Sequence, residues 1–407
     1  MKWEKVKLGD IATCIQPGPF GSQLHNSDYS KEGTPIIMPK DIVGGAIVHS
    51  GLLKVSEEHV KRLSRHQVYE GNLMVARKGD VRKCAYITAN ENGWMTGSDC
   101  LKVVLDESKC YPKFIYYQLR SEHIGRWLEK VSIGATMPSL NTGLLSGIEM
   151  VLPPIEIQKQ IAGILSVYDD LIENNQKQIK LLEEAARRLY KEWFVDLHFP
   201  GHENTKIVDG VPEGWRVASI ADICDTVGGG TPSTKIQSYY ERGDILWVTP
   251  TDITRNFSLA LLDTEKKITP EGLKNSSAKM LPAETILMTS RASVGFFGMC
   301  KYEVCTNQGF ISCIPKRENL QMYLLFNLKS RVEEIRHKAG GSTYLEISKT
   351  VFRELKIILP KDEVLAEYQK NVHDIFDEIY CRTEMIKSLV DMRNRLLPKL
   401  MSGEVEV

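Results

Sequence analysis

One stretch limits the folds open to this chain more than any other: Leu152 to Phe199, LPPIEIQKQIAGILSVYDDLIENNQKQIKLLEEAARRLYKEWFVDLHF. Steps of three and four along it meet Ile157, Ile161, Ile164, Tyr168, Leu171, Asn175, Ile179, Leu182, Ala186, Leu189 and Trp193. The seam has a period near 3.6 and lasts about ten turns, against about three for an average globular helix. Glu, Gln, Lys and Arg fill the positions between, as on a helix wet on its other faces. Pro153 and Pro154 suit a helix start, and Pro200-Gly201 a stop. At about 1.5 Å per residue such a helix runs roughly 60 Å. A helix that long with so narrow a stripe needs a partner.

The end of the chain supplies one. From Asp362 the sequence reads DEVLAEYQKNVHDIFDEIYCRTEMIKSLVDMRNRLLPKLM. The same stepping gives Leu365, Tyr368, Val372, Ile375, Ile379, Thr383, Ile386, Val390, Arg393, Leu397 and Leu400. Each seam holds a polar residue, Asn175 and Thr383, and a polar residue at such a place commonly fixes register at some cost in stability. The simplest pairing is a two-stranded coiled coil, antiparallel if a twofold axis relates the two halves. The alternative is that each helix packs only on its own domain.

Length allows two domains or three, each with an ample core, since the chain has 407 residues. A hydrophobic content of 42% and a charged content of 26% are ordinary for a globular protein. No apolar run approaches the roughly 18 residues of a membrane helix, and Met1-Lys2-Trp3-Glu4-Lys5 opens no signal peptide. Nine cysteines, without a C-x-x-C pair, point to neither a disulfide framework nor a zinc ribbon, so a reducing cytoplasm is the expected setting. With 52 basic and 52 acidic residues, the chain is not globally basic, although charge can still be segregated. Between Lys54 and Lys83, for instance, eight Lys and Arg face four acids.

The sequence also reads twice. KWEKVKLGDIATC returns as GWRVASIADICDT, setting Trp3 on Trp215 and Asp10 on Asp222. TPIIMPKDI returns as DILWVTPTDI, and LMVARKG as LMTSRAS, which places Arg77 on Arg291. Thr96 falls on Thr306, Gly134-Ala135-Thr136 on Gly341-Ser342-Thr343, and GIEMVLPPIE on ELKIILPKDE just before each long helix. A repeat of this length is a duplicated domain rather than a solenoid unit.

Short β-branched or aromatic runs between Gly-rich turns read as strands: Pro35 to Met38, Leu73 to Ala76, Cys84 to Thr88 and Leu101 to Leu105. Ile245 to Thr249, Ile286 to Thr289 and Phe310 to Ile314 are their counterparts, and helical patterns outside the two seams cover Phe114 to Lys130 and Gln321 to His337. The predicted fold is mixed α/β (α+β), two duplicated globular domains separated by two long antiparallel coiled-coil helices. Its expected divisions are 1–151, a first long helix 152–199, 200–360, and a second long helix and tail 361–407. The loops Gln16 to Asp28 and Val43 to Gln67 differ from Thr226 to Tyr240 and Thr254 to Lys279. A shared frame with different loops suits a protein that grips two different things in one way.

LPPIEIQKQIAGIL, RLYKEWFVDLHFPG, the restart VPEGWRVASIADI and the closing RLLPKLMSGEVEV closely resemble the DNA-specificity subunit of type I restriction–modification systems. The resemblance covers the whole chain and the order domain, helix, domain, helix. It implies two target-recognition domains, each reading one part of a split, asymmetric site in double-stranded DNA. It implies helices that set the gap between the half-sites and dock two copies of an adenine methyltransferase subunit, in an assembly that can add restriction (nuclease) subunits. It implies a protein that is not itself an enzyme and needs no cofactor.

The residues agree with that last point. A methyltransferase needs a Gly-rich cofactor turn and a catalytic tetrapeptide such as Asn-Pro-Pro-aromatic; Val151-Leu152-Pro153-Pro154 lacks both the polar residue and the aromatic. Gly228-Gly229-Gly230-Thr231-Pro232 opens no helix and has no Lys at P-loop spacing. Asp252 with Glu265-Lys266-Lys267 is a faint nuclease pattern, better read as a charged turn. His198 and His202 straddle Pro200-Gly201 without nearby thiolates, so no metal is expected, and Cys300 and Cys305 read as core residues of strands.

DNA affinity comes mainly from neutralised phosphates and specificity from side chains at base edges. Arg suits guanine, and Asn or Gln suits adenine, because each makes two hydrogen bonds to one base. The candidates are Arg77, Lys78, Arg82 and Lys83 in the first half and Arg255, Asn256 and Arg291 in the second. Arg77 and Arg291 are equivalent, which assigns them to phosphate or fold, since two different half-sites need not share a reader. Thr136 and Thr343 can offer a hydroxyl and an amide to a phosphate; a plain turn explains them as well. Leu189, Tyr190, Trp193 and Phe194 crowd the end of the first helix, as a methyltransferase docking patch or as buried seam. The rival function is a scaffold with two protein-binding domains on a coiled-coil bar, which zero net charge favours. An RNA-binding module would show exposed aromatic pairs or a basic tail, and neither is seen.

Overall fold

The computed structural model describes residues 3–132, 139–341 and 345–407. The chain divides into two compact units, Met1–Asp170 with Leu389–Val407, and Leu171–Ser388.

The first unit runs β1 (Glu4–Lys7), β2 (Ala12–Pro17), β3 (Thr34–Ile37), β4 (Leu53–Val55), α1 (Glu57–Arg62), β5 (Leu73–Ala76), β6 (Cys84–Tyr86), β7 (Met95–Thr96), β8 (Cys100–Leu105), α2 (Pro112–Leu119), α3 (Glu122–Val131) and β9 (Glu149–Leu152), with shorter pieces between, and enters α4 (Ile155–Phe194). An antiparallel sheet has the order β2-β8-β5-β6, and in a second sheet β7 runs parallel to β3 while β4 runs antiparallel to it. The period-2 alternation of a strand explains why β5 is apolar throughout. Leu73 and Val75 join a core with Phe114 and Tyr117 of α2, and Met74 joins another with Ile37 of β3. β1 and β9, the first and last strands, pair with each other, Glu4 opposite Leu152. Ile161, Ala162 and Leu165 of α4 share the α2 core with Leu397 and Leu400 near the chain end. Asp169 closes this core: it accepts from the Tyr117 hydroxyl at 2.7 Å and pairs with Arg393.

The second unit repeats the plan. Its elements are β10 (Arg216–Ser219), β11 (Cys224–Val227), β12 (Ile245–Val248), β13 (Lys267–Ile268), β14 (Ile286–Thr289), β15 (Phe297–Gly298), β16 (Cys305–Thr306), β17 (Phe310–Pro315), α5 (Gln321–Ser330), α6 (Val332–Lys338), β18 (Lys356–Leu359) and α7 (Asp362–Ser402). The sheet order is β11-β17-β14-β15; β16 lies parallel to β12, Cys305 opposite Trp247, as Met95 lies opposite Ile36. β10 pairs with β18, Arg216 opposite Leu359. The duplication is therefore one of topology and register as well as of sequence.

Both long helices form, and in this unit they run antiparallel: Asn175 of α4 meets Arg382 of α7, and Tyr190 meets Tyr368. The pattern Leu152 to Phe199 overreaches at both ends. Leu152 belongs to β9, and the backbone turns left-handed at Leu197 with φ 61°. The α4 seam also departs from the expected line: Ile164 and Leu171 are exposed, while Leu165 is fully buried. Neither polar seam residue bonds the other. Asn175 donates to the Leu171 carbonyl at 2.8 Å and accepts from Arg382 at 3.2 Å. Thr383 donates to the Ile379 carbonyl at 2.7 Å and lies 3.2 Å from the Ser258 hydroxyl.

Candidate nucleic-acid interface

Arg77 leaves the end of β5, fixed by its backbone: its N–H donates to the Asp99 carbonyl and its own carbonyl accepts from Leu140. Its guanidinium carbon lies 5.4 Å from the ring centre of Phe20, which is itself exposed. Lys78 follows, exposed and 3.1 Å from Asp99. Arg291 occupies the same place after β14, bridged along the backbone to Glu346 with its guanidinium 3.6 Å from that carboxylate. Each unit thus sets an arginine on a rigid strand end beside a segment that flanks its Gly-x-Thr sequence. Thr136 and Thr343 themselves lie outside the described residues. A cation on a fixed strand end, screened by at most one exposed carboxylate, can turn to a phosphate at small cost, because surface ion pairs contribute only about 0–1 kcal/mol.

Other candidates are already engaged. Arg82 pairs with Glu122 and, at 3.4 Å, with Glu129, both on α3, and the Glu122 hydrogen bond raises its already high pKa. The Lys83 ammonium donates to the Pro39 carbonyl at 3.0 Å. The Asn256 amide donates to the carbonyls of Ser258, at 2.7 Å, and Ala260, at 2.9 Å, which uses both hydrogens inside its own loop. Arg255 is the exception, with 78% of its side chain exposed and Glu265 only at 3.9 Å.

The aromatic patch at the end of α4 packs inward within the second unit. Tyr190 and Trp193 are buried, and Phe194 packs edge-on against Tyr323 and Tyr368 at 4.7 and 4.8 Å between ring centres. Tyr190 accepts a hydrogen bond from Asn327 at 2.8 Å. With Leu189 half-buried beside them, these residues form the core where α4, α5 and α7 meet within the second unit. The exposed apolar residues of α4 lie elsewhere, at Ile164, Val167, Leu171 and Leu181.

The patterns set aside as non-catalytic have structural work. A side chain at Gly229 would strike the Thr306 carbonyl at 2.1 Å, and one at Gly230 the Ser277 hydroxyl at 2.2 Å, so the glycines permit close backbone packing. Asp252 spends both oxygens on backbone, one on Thr249 and one on Glu265. Cys300 and Cys305 are buried, and burial pushes the Cys305 thiol up to about 12. Among the described residues one group, Glu284, His373 and Asp377, brings ligand-type atoms within 4.8 Å. There His373 approaches one carboxylate with each ring nitrogen and Lys301 pairs with Asp377, so these groups already have protein partners.

The family described as the type I restriction modification DNA specificity domain matches residues 1–184 and 212–390, one match for each repeat. This chain belongs to that family. Among its specificity-subunit relatives, the MjaIX subunit of a type I restriction enzyme from Methanocaldococcus jannaschii is 25% identical over 100% of this chain and 94% of its own. The HindI specificity subunit of Haemophilus influenzae is 22% identical over 99% of each. An Escherichia coli type I specificity subunit is 30% identical over 71% of this chain and 69% of its own. A crystal structure of the S subunit of a type I restriction–modification system from M. genitalium superposes with a TM-score of 0.56 over 98% of this chain and 96% of that one, at 17% identity, and shares the fold. The relatives carry the name of the specificity component, and this chain is a non-catalytic specificity subunit. No helix among the described residues is long and apolar enough to cross a membrane.

Proposed function

We propose that this chain reads a bipartite, asymmetric site in double-stranded DNA for a type I complex, each half taking one part. Residues 1–151 and 200–360 are the target-recognition domains, and 152–199 with 361–407 the spacer that sets the gap. The observation that carries the reading is one frame folded twice around different loops, with an equivalent arginine on each strand end, Arg77 and Arg291. The shared arginines take phosphates, together with Lys78 and Thr136 in the first half and Thr343 in the second; the unshared loops, Arg255 among them, take bases. Two adenine methyltransferase subunits dock on the helices, away from the buried aromatic cluster, and restriction subunits join that assembly in the cytoplasm.

Co-expression with the neighbouring methyltransferase and mapping of methyladenine across the host genome tests this. A split motif with a fixed gap is the expected result. A co-purifying, active partner that leaves no motif would instead favour the scaffold.

A further inference from the structure

Against the turn after α1 lies a buried polar cluster without a counterpart among the described residues of the second half. Lys102, in the middle of β8, is 7% exposed, and its ammonium donates to the carbonyls of Arg65 at 2.6 Å and Gln67 at 2.9 Å. Gln16, opposite Lys102 on β2, donates to the same Arg65 carbonyl at 2.6 Å. No carboxylate pairs with Lys102 among the described residues. Burial lowers its pKa, the mark of a cation held without a counter-ion.

Strand register identifies the same places in the second half. Lys102 pairs with Met74 as Ile311 pairs with Met288, so Ile311, 1% exposed, stands where Lys102 stands. β11 ends at Val227, so Gly228 takes the place of Gln16. An apolar residue therefore suits this frame, and the first half keeps a desolvated cation there instead. What the cation holds is the turn after α1, residues 64–67, where the Arg65 side chain is exposed. Arg65 is further fixed by its Nε, which donates to Nε2 of the buried His66 at 3.1 Å, while its Nη groups have no partner among the described residues. An arginine whose backbone and Nε are both fixed, with its fork left open, is arranged to bond a planar acceptor pair at little entropic cost.

We infer that Arg65 reads a guanine edge in the first half-site, and that Lys102 and Gln16 are the positioning residues that aim it. This rests on the DNA-reading function proposed above. The logic that gives the shared arginines to phosphate gives this unshared one to a base: the two half-sites differ, and Arg65 belongs to one half alone.

The test maps methyladenine for the complete complex carrying Arg65→Gln, Lys102→Met or Gln16→Leu, with the salt dependence of duplex binding measured beside it. The first half-site should lose discrimination at one guanine, by about tenfold to a hundredfold. The second half-site and the salt slope should stay unchanged, and Lys102→Met and Gln16→Leu should relax the same position as Arg65→Gln. A general loss of function in Lys102→Met through misfolding would not reproduce relaxation at one position, and the surface variant Arg65→Gln is the control that stays folded. An unchanged motif, or a salt slope lowered by about one with the motif intact, overturns the base contact. No split motif in the unaltered complex overturns the DNA-reading function itself.

Discussion

At the scale of single residues, burial decides charge. His66 is buried beside Arg65 and Lys102, and desolvation first, then those two cations, hold its pKa down to about 4. The folded protein keeps it neutral, while the unfolded chain protonates it below about 6.5. Its contribution to stability is therefore complete above about pH 6.5 and is lost as pH falls toward about 4, at a cost of up to about 3 kcal/mol. Urea unfolding at pH 7 and pH 5 should show that loss, and His66→Gln should shrink the difference. The half-buried Glu184, held down to about 2 by hydrogen bonds from Arg187 and Arg188, loses its contribution only as pH falls from about 4.5 toward about 2, below both pH values of that comparison. Trp193→Ala should cost about 3–5 kcal/mol, read as a shifted denaturation midpoint with the slope kept, since its ring fills a core. Choosing candidates by residue type found Arg77, Arg255 and Arg291 in open positions. It could not see that Arg82 would find Glu122 or that Asn256 would close its own loop, because such partnerships depend on folding. Lys102 left one trace, a lysine in CLKVVL where its twin GFISCIP has isoleucine.

At the scale of elements, the helices were legible because a 3.6 period is a local property, and the strand runs because β-branched and aromatic residues alternate between two cores. Helix ends were less so: Leu152 is apolar enough to continue the seam, and its pairing with Glu4 decides otherwise. The face of α4 turned inward was also misjudged at Ile164 and Leu171, where two apolar lines run close together along one helix. Where α4 meets the chain end in the first unit, Asp169 takes both the Tyr117 hydroxyl and Arg393. Arg393→Leu should destabilise the protein by about 2–4 kcal/mol, because it leaves a half-buried carboxylate without its cation. Arg393→Leu with Asp169→Asn should recover part of that, and a double-mutant cycle by chemical denaturation measures it.

At the scale of the whole molecule, the repeat was readable because frame residues recur in order, and the loops between them were not, because they are where the copies diverge. On the proposed function the paired helices act as a ruler. Four residues inserted in step into α4 and α7 add about 6 Å, close to two base pairs at about 3.4 Å each. The methylation motif should keep both half-sites and widen its gap by about two, and an unchanged gap would rule the ruler out. One further consequence lies in the strand pairs β1–β9 and β10–β18, which bring the entrance and exit of each globular half side by side. A segment cut at those two strands begins and ends at one place, so a homologous segment can take its seat without moving the helices. On the proposed function, recombination between genes of this family has ready crossover points there, and exchange of one cassette would give a new target while the inherited partners still fit.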